Sequence, residues 1–176
     1  MLVASKLIAA GAGLAPALVR RAASVELDWD TRQKSRFDAT DSAGRGLGVF
    51  LPRGRIVRGG DVLVAEDGSL IVVKARPQTV LVVTRGAQGS PLDLLRATYH
   101  LGNRHVPLEV QADRLQLEPD HVLADLLQRM GLRVETAEAA FEPEAGAYDT
   151  ASSGHGHDHD DHGHEHGHDH GHHKHS

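Results

Sequence analysis

The strongest chemical signal in the sequence is a cluster of histidines at its carboxyl end. The last 22 residues, His155 to Ser176, hold 11 of the 14 histidines. Imidazole is a borderline ligand that suits Ni, Zn and Cu, and the interleaved Asp and Glu residues add oxygen donors. The glycines between them let the backbone wrap around an ion. The pattern therefore predicts metal ligands at His155, His157, His159, His162, His164, His166, His168, His170, His172, His173 and His175.

This tail has no apolar residues from which to build a core. It contains no Val, Ile, Leu, Met or aromatic residue, which is typical of a disordered chain. A disordered chain loses conformational entropy when it chelates, so we expect many weak and unselective sites. A purification tag or a solvated end without a role would be alternative readings, but tags are usually unbroken His runs. Metal binding is favoured over both, although the pattern does not identify the metal.

The sequence has three further histidines, His100, His105 and His121. We expect His105 on a loop after a helix, and His121 in the first turn of the next helix. The positive end of that helix disfavours imidazolium and leaves a neutral ring that can bind metal. Asp120 could cap the helix or donate an oxygen ligand. We predict His105 and His121 as ligands, and His100, on the outer face, as the weakest candidate.

Charge and composition exclude several classes of function. The tail carries −4 of the formal charge of −5, so residues 1–154 are nearly neutral and offer no basic surface for nucleic acid. The chain has no cysteine, which excludes disulfides and thiolate chemistry and fits a reducing, cytoplasmic location. We expect no Gly-x-Ser-x-Gly elbow, no helix that carries His-Glu-x-x-His and no phosphate loop, and therefore no enzyme.

The apolar stretch from Leu7 to Val19 is too short to span a bilayer. Gly11, Gly13 and Pro16 interrupt it, so a strand followed by a loop is favoured over an export signal. No other stretch of the sequence could cross a membrane.

The first half of the chain has the pattern of β-structure. Val25, Leu27 and Trp29 alternate with acidic residues, as in a half-buried strand. The runs 61–65 and 70–74 flank an Asp-Gly pair, which is a strong hairpin signal. No convincing helix is visible in this half. We therefore predict a small all-β domain over residues 1–76.

The second half alternates between strands and helices. Strands are expected at 79–84, 107–110, 114–117 and 133–136. A first helix begins at Ser90-Pro91 and ends at Gly102-Asn103. Its predicted inner face holds Leu92, Leu95 and Tyr99. A second helix covers 120–130, with its inner face formed by Val122, Leu123, Leu126, Leu127 and Met130.

This order of elements is β-α-β-β-α-β, the ferredoxin-like plan. The chain is therefore predicted to be α+β. It comprises the all-β domain (1–76), a ferredoxin-like domain (77–149) and a disordered His-rich tail (150–176).

Several segments resemble the UreE family of urease accessory proteins, which are nickel metallochaperones. The most specific are Tyr-His-Leu-Gly-Asn-Arg-His-Val-Pro-Leu at 99–108 and Phe-Glu-Pro-Glu-Ala-Gly-Ala-Tyr at 141–148. Asp-His-Val-Leu at 120–123 and the segments at 51–54 and 60–63 also match. The similarity covers most of residues 20–150, and a His-rich terminus is common in that family.

The resemblance implies a role for each part of the chain. The N-terminal domain is similar to a chaperone peptide-binding module that can contact partner proteins, and the ferredoxin-like domain forms a homodimer. The residue matching His105 lies at the dimer interface and can share one ion between both chains. His121 matches a peripheral ligand of some members, but Pro119 stands where some relatives carry another histidine. A site that needs that histidine is therefore in doubt.

The leading hypothesis is a nickel metallochaperone that delivers Ni²⁺ to urease during assembly of its active site. The implied partners are the urease apoprotein and an accessory complex that includes the GTPase UreG. The alternative is a general storage or buffering protein for Ni²⁺, Zn²⁺ or Cu²⁺, and the tail alone does not separate the two. Imidazole must be neutral to bind metal, so uptake by the tail should fade between about pH 7 and 5.5.

Overall fold

The computed structural model describes residues 1–145. Two sheets are built from consecutive parts of this range, and helices accompany both. The strands before Arg76 form a six-stranded sheet, and those after Pro77 form a four-stranded sheet. The prediction of a mixed α+β chain is therefore confirmed. No helix in the described range is long and apolar enough to cross a membrane.

The six-stranded sheet has the strand order β2-β6-β5-β1-β4-β3. Its core is a compact set of aliphatic side chains that includes Leu47, Val49, Leu63 and Ile71, none of which is exposed. The elements of this half are β1 (Leu2–Ile8), a 3-10 turn (Ala9–Gly11), α1 (Pro16–Arg21), β2 (Ala23–Leu27), α2 (Trp29–Arg32), β3 (Arg36–Thr40), β4 (Gly46–Phe50), β5 (Val62–Ala65) and β6 (Leu70–Ala75).

The expected absence of helices in this half was wrong. The alternation at Val25 and Leu27 does form the strand β2, but the strand does not continue to Trp29. Asp28 caps α2 instead, because its carboxylate accepts a hydrogen bond from the Thr31 amide at 2.9 Å. The loop expected after β1 also contains a helix, α1, which begins at Pro16 in the first helical position.

The predicted hairpin joins β5 and β6. Gly68 has φ = 85°, a left-handed conformation that few other residues adopt cheaply. Asp67 stabilises the same turn by accepting a hydrogen bond from the Ser69 amide at 2.8 Å.

The four-stranded sheet has the order β10-β7-β9-β8, and each of its neighbouring pairs is antiparallel. Both longer helices pack on one face of it, around Leu101, Leu117 and Leu127. The elements are β7 (Gln78–Arg85), α3 (Pro91–Gly102), β8 (Glu109–Val110), β9 (Arg114–Leu117), α4 (His121–Arg129) and β10 (Leu132–Ala139).

The predicted inner face of α3 was wrong. Leu92, Leu95 and Tyr99 remain 48%, 65% and 66% exposed. The sheet is covered instead by Leu94, Ala97 and Leu101. The helix carries two apolar stripes at helical spacing, and the sequence pattern does not say which one meets the sheet. On α4, Val122 was likewise expected inside and is 59% exposed.

Candidate metal site

His105 lies at the carboxyl end of α3, in a hydrogen-bonded turn. Its amide donates to the Gly102 carbonyl at 2.9 Å, and the Val106 amide donates to the Leu101 carbonyl at 3.3 Å. These two bonds form a Schellman motif, in which His105 occupies the position that glycine usually takes. The helix ends at Gly102 with Asn103 as its C-cap, as predicted, but the left-handed residue of the turn is His105 and not Gly102.

His105 adopts a left-handed backbone conformation with φ = 56°. In the described range, the only other non-glycine residue with positive φ is Ala10. A residue with a β-carbon in this region costs roughly 1–2 kcal/mol relative to glycine. A histidine at a position where glycine would avoid that cost motivates the hypothesis that its side chain has a function.

The turn fixes the backbone of His105 while leaving its side chain in solvent. Val106 packs against the core beneath α3, and Leu108 is 7% exposed. His105 itself is exposed. The imidazole is therefore presented on a rigid support and open to an incoming ligand, which suits a metal donor.

The segment at 141–144 supports the same loop from the other side. The Glu142 amide donates to a carboxylate oxygen of Glu109 at 2.7 Å, and the Glu144 amide donates to the Leu108 carbonyl at 2.8 Å. Reasoning from residue types missed this support, because Glu109 and Glu142 are 33 residues apart. The Phe-Glu-Pro-Glu run drew attention only through the family resemblance.

His121 is the first residue of α4 and is exposed. Of the two roles considered for Asp120, the structure shows the cap. One Asp120 carboxylate oxygen accepts hydrogen bonds from the amides of Val122 at 2.8 Å and Leu123 at 3.0 Å. His121 is thus held at a fixed helix start.

His100 is exposed on α3 and lies edge-on to the Tyr99 ring, with 5.5 Å between the ring centroids. Its carbonyl accepts a hydrogen bond from the Arg104 guanidinium at 3.0 Å.

Residues 1–145 do not assemble a complete metal site within one chain. No group of three or more His, Asp or Glu side chains in that range is close enough to hold an ion. The eleven tail histidines at 155–175 lie outside the described residues. An ion bound at His105 therefore needs further donors, either from residues after 145 or from another molecule.

Apolar side chains are exposed on α3, which ends just before His105, and on the strand β8. On α3 these are the Leu92, Leu95 and Tyr99 stripe described above. Val110 on β8 is 42% exposed, and it lines a groove of about 300 Å³ together with Leu95. Several exposed large apolar side chains on neighbouring elements are typical of a protein interface.

Comparison with known proteins gives matches along the chain. The family model of the UreE urease accessory protein N-terminal domain matches residues 4–76, and that of the C-terminal domain matches residues 78–175. The chain is 72% identical to the urease accessory protein UreE of Methylibium petroleiphilum over 154 residues, which cover 87% of this chain and 71% of that protein. It is 64% identical to the protein of the same name from Albidiferax ferrireducens over 156 residues, covering 88% and 90% of the two chains.

Proposed function

Because this chain belongs to the UreE family of urease accessory proteins, we propose how its own residues handle the nickel that the family supplies during urease assembly. The chain is a nickel metallochaperone for urease, and the alternative of general metal storage is not favoured. An accessory role also agrees with the expectation that the chain is not an enzyme.

We propose that His105 is the central nickel ligand and that it acts in pairs, one from each chain of a homodimer. The observation that carries this proposal is its left-handed, exposed position at the end of α3. Residues 1–145 contain no group of three or more potential ligands, and the proposal takes the further nitrogen from a second copy of His105. Nickel accepts imidazole readily.

The exposed apolar side chains support the homodimer. Burying a leucine or a tyrosine against a partner removes apolar surface from water, at about 25 cal/mol per Å². Leu92, Leu95 and Tyr99 lie on α3, which ends three residues before His105, so an interface that covered them would bring two copies of this helix end into the same region.

An ion held by two imidazoles keeps open coordination positions, which suits delivery by ligand exchange. We propose that the tail histidines gather Ni²⁺ weakly, that the paired His105 residues hold one ion, and that a partner then takes it. The tail does not exclude Zn²⁺ or Cu²⁺. His121 is proposed as a peripheral ligand.

The proposed recipients are the urease apoprotein and its accessory complex with the GTPase UreG. Neither nucleic acid nor a membrane is proposed as a partner. The absence of cysteine supports a cytoplasmic location.

We propose that the second half is a ferredoxin-like domain over 77–149, after an N-terminal domain at 1–76. The element order β7-α3-β8-β9-α4-β10 and the strand order of its sheet support this assignment. A disordered tail at 150–176 remains a prediction from composition.

Nickel titration calorimetry tests whether the tail gathers Ni²⁺ and His105 holds the tightest site. The samples are the full chain, the chain ended at residue 150, and His105→Ala in the full chain. We expect truncation to lower the capacity and to leave the tightest site in place. His105→Ala should remove the tightest site and leave most of the capacity. His100→Ala, at the same end of α3, is the matched control and should change neither.

Unchanged capacity after truncation would refute the gathering role. Retention of the tightest site by His105→Ala would refute the central-ligand assignment. Transfer is tested separately, by urease activation in a mixture of apoprotein and accessory complex at limiting nickel. His105→Ala should activate less urease than His100→Ala.

A further inference from the structure

The left-handed turn at His105 is held only loosely by its own hydrogen bonds. Of the two bonds that define it, the one from the Val106 amide to the Leu101 carbonyl is 3.3 Å long, slightly longer than usual. A residue other than glycine keeps such a conformation only where the surrounding structure restrains it from several sides. Helix α3 restrains His105 from its amino side, so the remaining restraint has to come from its carboxyl side, where the chain continues into β8.

Strand β8 does not supply that restraint by pairing alone. It has two residues and lies at the edge of the four-stranded sheet. Within the described range it pairs only with β9, through Glu109 opposite Gln116 and Val110 opposite Leu115. A pairing this short is marginal without further contacts.

The Glu109 carboxylate supplies those further contacts. One of its oxygens accepts a hydrogen bond from the Glu142 amide at 2.7 Å. The other accepts from the side-chain amides of Gln111 at 2.7 Å and Gln116 at 3.3 Å. Hydrogen bonds accepted by a carboxylate are stronger than those between neutral groups. Glu109 therefore ties β8 both to β9 and to the segment that follows β10.

We propose that Glu109 is a positioning residue for the nickel ligand His105. By fixing the start of β8, it keeps His105 in the left-handed turn and so in the geometry that binds nickel. This role rests on the proposed function of His105 as the central ligand. Glu109 acts through the backbone and is not assigned as a ligand itself. If only a fraction of the chains holds the turn, the apparent affinity for nickel falls by that fraction.

The first measurement is amide hydrogen exchange of the metal-free full chain, followed by NMR at single residues. Glu109→Ala should raise the exchange rates of the His105 and Val106 amides at least ~10-fold, because the turn then opens locally more often. Since β8 lies at the edge of its sheet, we expect this variant to fold, and urea unfolding checks that it does.

The second measurement is the affinity of the tightest nickel site, obtained by competition with a chelator. Glu109→Ala should weaken it at least ~10-fold, because fewer chains hold the competent turn. Glu109→Gln should restore most of the affinity and of the protection from exchange. Its side-chain oxygen can still accept from the Glu142 amide, and its new amide group can donate to Gln116 Oε1. That oxygen is buried and has no hydrogen-bond partner within residues 1–145, and rotation of the Gln116 amide would present it.

Two control variants separate positioning from charge and from general stability. Glu66→Ala removes the same kind of carboxylate at an exposed turn of the first sheet. Ile71→Val creates a small cavity in the core of that sheet, where Ile71 has no exposed surface. Both should retain the two exchange rates and the nickel affinity within about twofold, because neither touches β8 or its partners.

The proposal is overturned if Glu109→Ala leaves the exchange rates or the nickel affinity unchanged. It is also overturned if Glu109→Gln is as impaired as Glu109→Ala, or if Ile71→Val loses as much affinity. His105→Ala, measured alongside, separates this proposal from the ligand assignment. If His105→Ala loses the tightest site while Glu109→Ala retains it, only the positioning role fails. If His105→Ala retains that site, the ligand assignment fails and the positioning role fails with it.

Discussion

An oxygen of the Glu142 carboxylate lies 2.7 Å from a guanidinium nitrogen of Arg32, whose side chain has no exposed surface. The same oxygen accepts a hydrogen bond from the Gly59 amide at 2.8 Å. The Arg32 guanidinium lies 5.3 Å from the centre of the Trp29 ring, which in turn meets Phe141 edge-on. This network joins α2 in the first half of the chain to the segment that follows β10. That segment also supports the His105 loop through Glu109.

Replacement of Glu142 by glutamine should therefore destabilise the fold. The change leaves the buried Arg32 charge without its carboxylate, and such losses cost about 3 kcal/mol. The midpoint of urea unfolding measures the loss. Glu144→Gln is the matched control, because Glu144 is exposed and contributes a backbone bond to Leu108. Equal midpoints for the two variants would show that the Arg32 pair has no such role.

Stability and nickel binding should move in opposite directions at His105. Glycine avoids the cost of roughly 1–2 kcal/mol that a β-carbon has in this conformation, but it also gives the unfolded chain about 0.4–1 kcal/mol of additional conformational freedom. His105→Gly should therefore raise the free energy of unfolding by about 0.5–1 kcal/mol. The same variant should lose the tightest nickel site. His105→Ala should lose the site without that gain in stability. Thermal unfolding of the metal-free proteins measures the difference, and a His105→Gly variant less stable than wild type would contradict the assigned turn.

Gly86 should tolerate no side chain. A β-carbon built there would lie 2.2 Å from the carbonyl oxygen of Gly131, so backbone would have to move. We expect Gly86→Ala to cost about 1–3 kcal/mol, measured by urea unfolding. Gly102→Ala provides the contrast, because Gly102 is helical and a β-carbon there meets no atom within 4 Å apart from its chain neighbours and the backbone of its own helix. It should be neutral or stabilise by up to about 1 kcal/mol. The reverse order of the two effects would contradict the packing at Gly86.

Acid should weaken the first half of the fold through Asp28. Hydrogen bonds from Thr31 and the positive charge of Arg76 hold the pKa of the Asp28 carboxyl below its ordinary value. A lowered pKa in the folded state contributes stability that is present above about pH 4 and is lost as the pH falls through the folded value. The fall in urea midpoint between pH 6 and pH 3 should therefore be smaller for Asp28→Asn than for wild type. An equal fall in Asp28→Asn and wild type would show that Asp28 does not contribute to the loss of stability in acid.

Local signals in the sequence predicted the starts of α3 and α4 well. Ser90 and Asp93 form a capping box, and Asp120 caps α4, because these contacts involve only residues within one helical turn. The hairpin turn at Gly68 likewise depends only on residues that are neighbours in the chain.

The features that the sequence predicted wrongly depend on contacts between residues that are far apart in the chain. Trp29 leaves the strand pattern to pack against Phe141, which follows it by more than a hundred residues in the chain. The buried face of α3 depends on which of its two stripes the sheet covers. At His105, the sequence pointed to the residue through its type and through the family resemblance. Its left-handed backbone was not foreseen, because glycine is the residue expected in that position.

The most direct test of the central claim is native mass spectrometry of the full chain loaded with Ni²⁺ and then titrated with a chelator. The paired-ligand account predicts that the last ion to leave is a single Ni²⁺ carried by a dimer. It also predicts that the His105→Ala protein loses this ion early while remaining dimeric. A His105→Ala dimer that keeps its last Ni²⁺ as long as wild type, or a wild-type monomer that carries that last ion, would contradict the account.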